Sequence, residues 1–168
     1  PLALGRAILN LGETISMLAR FAISAPLKVT VIEKIQGLPW VEQFRRFQAV
    51  RVLVGVHGAG LSWLWSMPRG AAVVEVRPKG SPAFILQCSQ RWDEDGHETY
   101  GGLARLALIH HICLNQEPVK AEVVQDLDFE HWDRDANVTL DLERLNLVIQ
   151  DALALTQGPE RDCREILR

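Results

Sequence analysis

Cysteine, long apolar runs and excess positive charge are all scarce in this chain of 168 residues, and each scarcity removes a class of function. Three cysteines, Cys88, Cys113 and Cys163, are too few and too scattered for a disulfide framework or a C-x-x-C metal site. One bridge plus a free thiol fits that count, and so does no bridge. No apolar run approaches the ~18–20 residues that a membrane helix needs. Lys and Arg number 18 against 21 Asp and Glu, a net charge of -3, and no basic stripe offers itself to nucleic acid. No charged-then-apolar leader stands at Pro1, and the sequence opens inside a helical pattern, which sets the expectation of a fragment. What remains is globular: 48% hydrophobic and 23% charged, with length enough for one domain and its core.

Along the chain, helical and β-branched segments alternate. Ile8, Leu11, Ile15, Leu18, Ala19 and Ala22 follow helical spacing, with the helix entered near Gly12-Glu13-Thr14 and closed by Pro26. Lys28 to Glu33, KVTVIE, reads as a short strand. A turn at Gly37, Leu38 and Pro39 leads into a helix through VEQFRRFQAV, with Val41, Phe44 and Phe47 on one face. Strands are expected at 52–56 and 72–76, a short helix between them from about Gly60 to Met67, and a turn at Pro68-Arg69-Gly70. Residues 78–98 read as irregular, Thr99 to Leu108 as a helix, Ile109 to Leu114 as a strand, and 115–137 as a polar, acidic surface excursion. Leu140 to Leu155 forms a last amphipathic helix, with Leu142, Leu145, Val148, Ile149 and Ala152 in register, and the tail from Gln157 is polar. This order predicts an α/β domain, a doubly wound parallel sheet with helices on both faces.

The stretch from Arg51 to Pro78, RVLVGVHGAGLSWLWSMPRGAAVVEVRP, carries the chemistry. Its glycine turn, His57-Gly58-Ala59-Gly60, follows a strand and opens a helix, at the strand end where open α/β sheets bind ligands. Backbone N–H groups and a helix N-terminus there suit a phosphate or diphosphate, with His57 and Ser62 as further donors; a tight turn with no ligand is the alternative. HGAG also resembles an esterase oxyanion loop, but the chain lacks a G-x-S-x-G nucleophile elbow. The dinucleotide fingerprint G-x-G-x-x-G is incomplete, because Trp63 holds the third glycine position. Asp126/Asp128 and Asp133/Asp135 read as a solvated acidic face. His110 and His111, on opposite faces of a strand, read poorly as a metal site with Cys113. Glu75 stands in an otherwise apolar strand and must find donors: ribose hydroxyls, or a salt bridge to Arg77 or Arg69.

VGVHGAGLSWLWSMPRGAAVVEVRP resembles the signature of glycosyltransferase family 61, roughly hG-x-HGAGLTNxxFLPxGAxVVEhxP. Upstream, GRAILN with Glu13 is similar to the family's RRIxNExE segment, and LPWVEQFRRFQAVRVLVG to LPFxEQxxLFxxADVLVG. Downstream, TYGGLARLALIHHI is similar to Y-x-x-LA-x-x-x-G-x-x-Y, and NVTLDLERLNLVIQDAL to a closing Val-Asp-x-x-x-Leu helix. The resemblance spans residues 6 to about 155, in the family's order. It implies that residues 1–168 are one Rossmann-like domain, the C-terminal, nucleotide-sugar-binding half of a GT-B enzyme, with the acceptor-side half absent. It implies inverting transfer of xylose, arabinose or N-acetylglucosamine from a UDP-sugar donor to a glycan or glycoprotein hydroxyl, without an obligatory metal or other cofactor. A catalytically inactive relative, binding nucleotide-sugar or serving as a scaffold, is the alternative.

Carried across residue by residue, the donor-binding positions are Arg6, His57, Gly58, Ala59, Gly60, Leu61, Ser62 and Glu75. Arg6 would neutralise phosphate charge and Glu75 would hold the ribose side. Asn10 and Gln43 also match, Gln43 as a brace behind the turn. Ser62 and Trp63 stand where the family has Thr and Asn, Trp65 where it has a packing residue, and Ala7 where it has a second Arg. No general base is assignable. The resemblance also implies a Golgi or endoplasmic-reticulum lumen location, with membrane attachment only through an N-terminal anchor absent from this chain, and no nucleic-acid partner. Asn137-Val138-Thr139 matches the N-glycosylation pattern. The loop WDEDGHE, residues 92–98, reads as solvated surface or as a border of the donor pocket.

Overall fold

A computed structural model of the chain describes residues 7–24, 27–32, 35, 37–78, 99–116, 118–119 and 137–157. At its centre lies a three-stranded sheet, β1 (Val52–Val56), β2 (Ala72–Pro78) and β3 (His110–Gln116), in the order β1-β2-β3. Both pairings are parallel, with Val54 beside Val74 and Val74 beside Ile112. Around it are the helices α1 (Leu11–Ser24), α2 (Trp40–Gln48), α3 (Thr99–Leu106) and α4 (Leu142–Leu155), and a 3-10 helix, Ala59–Ser66. A small antiparallel ribbon pairs β4 (Pro118–Val119) with β5 (Asn137–Val138). The expected α/β architecture with a parallel sheet is present at this level. Among the described residues no helix is long and apolar enough to cross a membrane.

The period of two along each strand sorts side chains onto two faces. Val52, Val54 and Val56 of β1, Ala72, Val74 and Val76 of β2, and Ile112 and Leu114 of β3 join one apolar cluster with Met17 of α1 and Leu145, Ile149 and Ala152 of α4. Leu53 and Val73 join the other, with Phe47 of α2, Leu61 and Leu64 of the 3-10 helix, and Tyr100 and Ala104 of α3. Helices therefore cover both faces, and central β2 is buried on each side, as a parallel strand requires. α4 begins at Asp141, whose carboxylate accepts from the Arg144 N–H at 3.1 Å, and buries Leu145, Ile149 and Ala152 at helical spacing.

Some sequence expectations change. Lys28 to Ile32 forms no strand; Glu33 lies outside the described residues. A β-branched run needs a ladder partner, and no pairing among the described residues supplies one. Ile32 instead packs with Ile35 against the second cluster. The short helix after the glycine turn is a 3-10 helix that buries Leu61, Leu64 and Ser66, and Met67, buried just past its end, follows Leu64 by three as Leu64 follows Leu61. That spacing matches the three-residue turn of a 3-10 helix. On α2, Phe47 is buried and Phe44 half-buried, but Val41 is exposed. α3 also stops short of its expected end, closed by Leu108 in the left-handed region (φ 62°), with the Ile109 N–H reaching back to the Ala104 carbonyl at 2.8 Å.

Candidate functional site

The site grows from the C-terminal ends of β1 and β2. His57 prolongs the ladder, its N–H donating to the Val76 carbonyl at 2.8 Å, and the chain then turns into the 3-10 helix. Gly55 lets that helix close down on the strand: a Cβ there would lie 2.9 Å from the Leu61 Cδ2. The Gly58 carbonyl accepts from the Tyr100 hydroxyl at 2.6 Å and from the Leu61 N–H at 2.9 Å, so both of its lone pairs are used and the turn is held from inside. Gly58 is buried, whereas Ala59, Gly60 and Ser62 form an exposed rim, and a Cβ on Gly60 would meet nothing within 4 Å. Leu61 does not belong to that rim. Its side chain is core and its N–H is spent on Gly58, so it supports the turn from beneath.

Beside the turn lies a buried polar cluster centred on Glu75, whose side chain has no exposed area. His57 Nδ1 contacts its Oε1, and Arg77 Nε lies 3.0 Å from the same oxygen. Oε2 receives His111 Nε2 at 2.7 Å and an Arg77 Nη2 hydrogen bond at 3.1 Å. Both carboxylate oxygens thus have protein partners: Oε1 the His57 ring and the Arg77 charge, Oε2 hydrogen bonds from His111 and Arg77. Of the two roles open to Glu75 in the sequence, the geometry is that of the salt bridge, with Arg77 as partner. Arg69 sits at the other end of β2, lining a shallow depression with Arg51 and Thr156. Burial alone would raise the Glu75 carboxyl, but the hydrogen bonds from His111, His57 and Arg77, with the Arg77 charge, outweigh it and hold the group well below the usual carboxylate range.

His111 was passed over in the sequence, and so was the bracing role of Tyr100. The register of β2 and β3 sets Val73 beside His111 and Glu75 beside Cys113, so His111 shares the Glu75 face while His110 falls on the other. The available signal was alternation: Glu75 and Arg77 on one strand, His111, Cys113 and Asn115 on another, each polar or reactive at every second position. Tyr100 stacks edge-on against His57, ring centroids 5.2 Å apart, while its hydroxyl holds Gly58.

Other singled-out residues have structural partners. Gln43 Nε2 donates to the Leu38 carbonyl at 2.7 Å and braces the start of α2. Asn10 bonds both backbone groups of Leu140, each at 2.8 Å, tying the segment before α1 to the segment before α4. Asn137, the glycosylation candidate, sits in β5 with its Oδ1 accepting from the Ala7 N–H at 2.9 Å. Cys113 is disulfide-bonded, to a partner outside the described residues. Arg6, Cys88, Cys163, the two Asp pairs (Asp126/Asp128 and Asp133/Asp135) and residues 92–98 also lie outside them.

Trp63 packs among aromatic rings. Its ring lies flat on Phe47, centroids 5.5 Å apart and planes 6° apart, and meets Trp40 at 4.8 Å. Trp65 extends this cluster, 6.1 Å from Trp40 and 5.6 Å from Phe44, and keeps 45% of its surface exposed. Trp63 and Trp65 together tie the 3-10 helix to α2.

Among the described residues no group of three or more His, Cys, Asp or Glu is placed to hold a metal ion. In the Glu75 cluster the two imidazoles and the guanidinium all point donors at one carboxylate, which suits charge stabilisation and orientation of His57. Compared with known proteins, the chain matches no protein-family model, and no curated protein matches it.

Proposed function

We propose that this chain is the donor-binding half of an inverting glycosyltransferase of GT-B type, holding a UDP-sugar by its diphosphate on the turn His57 to Ser62. The observation that carries the reading is an exposed glycine turn at the carboxyl end of a parallel strand, with His57 oriented from behind by a buried carboxylate. The ordered run of family 61 motifs around it supports the same reading. Rim N–H groups and the helix N-terminus would stabilise leaving-group charge as the sugar–phosphate bond breaks, and an acceptor hydroxyl would attack the anomeric carbon from the opposite face. Ser62, exposed in the first turn, supplies a hydroxyl where the family has Thr. Glu75 takes a positioning role behind His57 rather than the ribose contact. Arg6 would add phosphate neutralisation. A disulfide at Cys113 fits an oxidising compartment such as the Golgi or endoplasmic-reticulum lumen.

Calorimetric titration of the full-length protein with UDP tests this. Binding that His57→Ala weakens about tenfold, roughly 1.4 kcal/mol, is expected; no binding at high micromolar UDP would sink the reading. One observation favours the alternative of a non-catalytic relative that still binds nucleotide-sugar: the Asn position is given over to aromatic packing by Trp63. Turnover of a UDP-sugar by the full-length protein would exclude that alternative.

A further inference from the structure

We propose that His111 is a positioning residue for the donor turn: from β3 it holds the Glu75 carboxylate, and through that carboxylate it sets the His57 ring beside the exposed rim. The inference rests on the donor-site reading above and extends that site across the sheet to its third strand.

Glu75 lies on the central strand, between the end of β1, where His57 stands, and β3, which carries His111. Its two oxygens divide along the same line. Oε1 meets His57 Nδ1, and Oε2 meets His111 Nε2 at 2.7 Å. A carboxylate is planar with a fixed angle between its oxygens, so holding one oxygen in place turns the other to a set direction. Rotation about the last side-chain bond of a glutamate is otherwise soft, because such a terminal torsion has broad minima. Arg77, which donates to Oε2 at 3.1 Å, belongs to the same strand as Glu75. His111 reaches that oxygen from a neighbouring strand, so its bond ties the carboxylate to the sheet as well as to its own segment.

His111 does not act by meeting a ligand. Its side chain keeps 4% of its area exposed, against 13% for His57, and the carboxylate between them has none. What His111 does for the turn it does through Glu75. Hydrogen bonds from two sides make a buried side chain rigid. Supporting bonds of this kind hold a functional group within the narrow geometry that a ligand requires. The parallel register puts His111 on the Glu75 face of β3, so the arrangement depends on all three strands keeping their alignment.

A double-mutant cycle on the full-length protein, read by calorimetric titration with UDP, measures the coupling. His111→Asn should weaken binding about fivefold in the otherwise wild-type protein and by less than about twofold in the His57→Ala background, where nothing is left to position. His111→Gln should stay within about twofold of wild type, because its longer amide reaches the place of Nε2 and donates there, as that of Asn does not. Should His111→Asn lose its cooperative unfolding transition, His111→Met takes its place in the cycle, filling similar volume without a donor. A loss of equal size in both backgrounds, or equal for Asn and Gln, marks a merely structural role; it overturns the proposal and leaves the donor site standing. NMR of the ligand-free protein gives a reading that needs no UDP. The ring carbon–proton signals of His57 should shift or broaden in His111→Asn and return toward their wild-type positions in His111→Gln. Unchanged His57 signals in His111→Asn overturn the proposal. Failure of the wild-type protein to bind UDP overturns the donor-site reading, and the His57 signals still decide whether His111 positions the ring.

Discussion

On one face of β2, Ala72, Val74 and Val76 are buried among the apolar side chains of α1 and α4; on the other, Glu75 and Arg77 are buried as completely beside His57 and His111. The two faces reach the same burial by opposite means. The apolar face gains about 1.5–3 kcal/mol for each large aliphatic side chain removed from water, with little demand on direction. The polar face must offset the desolvation of two charges, which it can do only through donors placed within hydrogen-bond reach. A well-packed apolar substitute would serve stability as well or better. The cluster therefore makes most sense as an orienting device, and it stands where β1 ends and the exposed turn begins.

The sharpest way to separate the faces is to remove half of the polar one. Arg77→Met leaves a buried carboxylate without its guanidinium and should cost about 3–5 kcal/mol of unfolding free energy in urea. Adding Glu75→Leu should return much of that loss; no recovery would mean that shape rather than charge governs this face. Acid should act in the same place. A carboxyl held below its ordinary range contributes stability that is present above that range and is lost as pH falls through it toward the folded-state value. Wild-type stability should therefore decline below about pH 4 more steeply than that of the double variant.

The apolar face should respond to volume alone. Leu145→Ala empties a fully buried site on α4 and should cost about 3 kcal/mol, with affinity for the proposed UDP-sugar donor within about twofold of wild type. A large loss of donor binding there would erase the distinction between the faces. The smallest change is Tyr100→Phe, which removes one hydroxyl from Gly58 while Leu61 still satisfies the carbonyl. Its cost should be about 1 kcal/mol in thermal unfolding. Donor affinity should nevertheless fall more than in Leu145→Ala, because the turn itself is loosened.

Much of the frame was legible from spacing. The runs 52–56 and 72–76 are strands, Leu145, Ile149 and Ala152 mark a helix face, and HGAG marks a strand-to-helix turn. These depend on neighbours within a few residues. KVTVIE misled because β-branching describes a residue that suits a ladder, and only a partner strand makes one. Glu75 was visible as a charge in an apolar strand, and Arg77 as its possible mate two residues on. Tyr100 and His111 were not visible in their roles, since they lie 42 and 36 residues from the atoms they hold.

What the sequence determined by itself is the alternation: even-numbered residues of all three strands are apolar apart from His110 and Gln116 at the two ends of β3, and the odd-numbered set is polar or reactive from Glu75 onward in β2 and from His111 onward in β3. Local covalent geometry enforces that sorting whatever the strands pair with. Only the tertiary structure decided that Val73 lies beside His111 and Val76 beside Val56, and so that one carboxylate gathers two histidines and an arginine behind an open turn. A slip of one residue would have turned His111 to the apolar face and left Glu75 short of a donor. Register follows from packing of the whole core, and no stretch of chain specifies it alone.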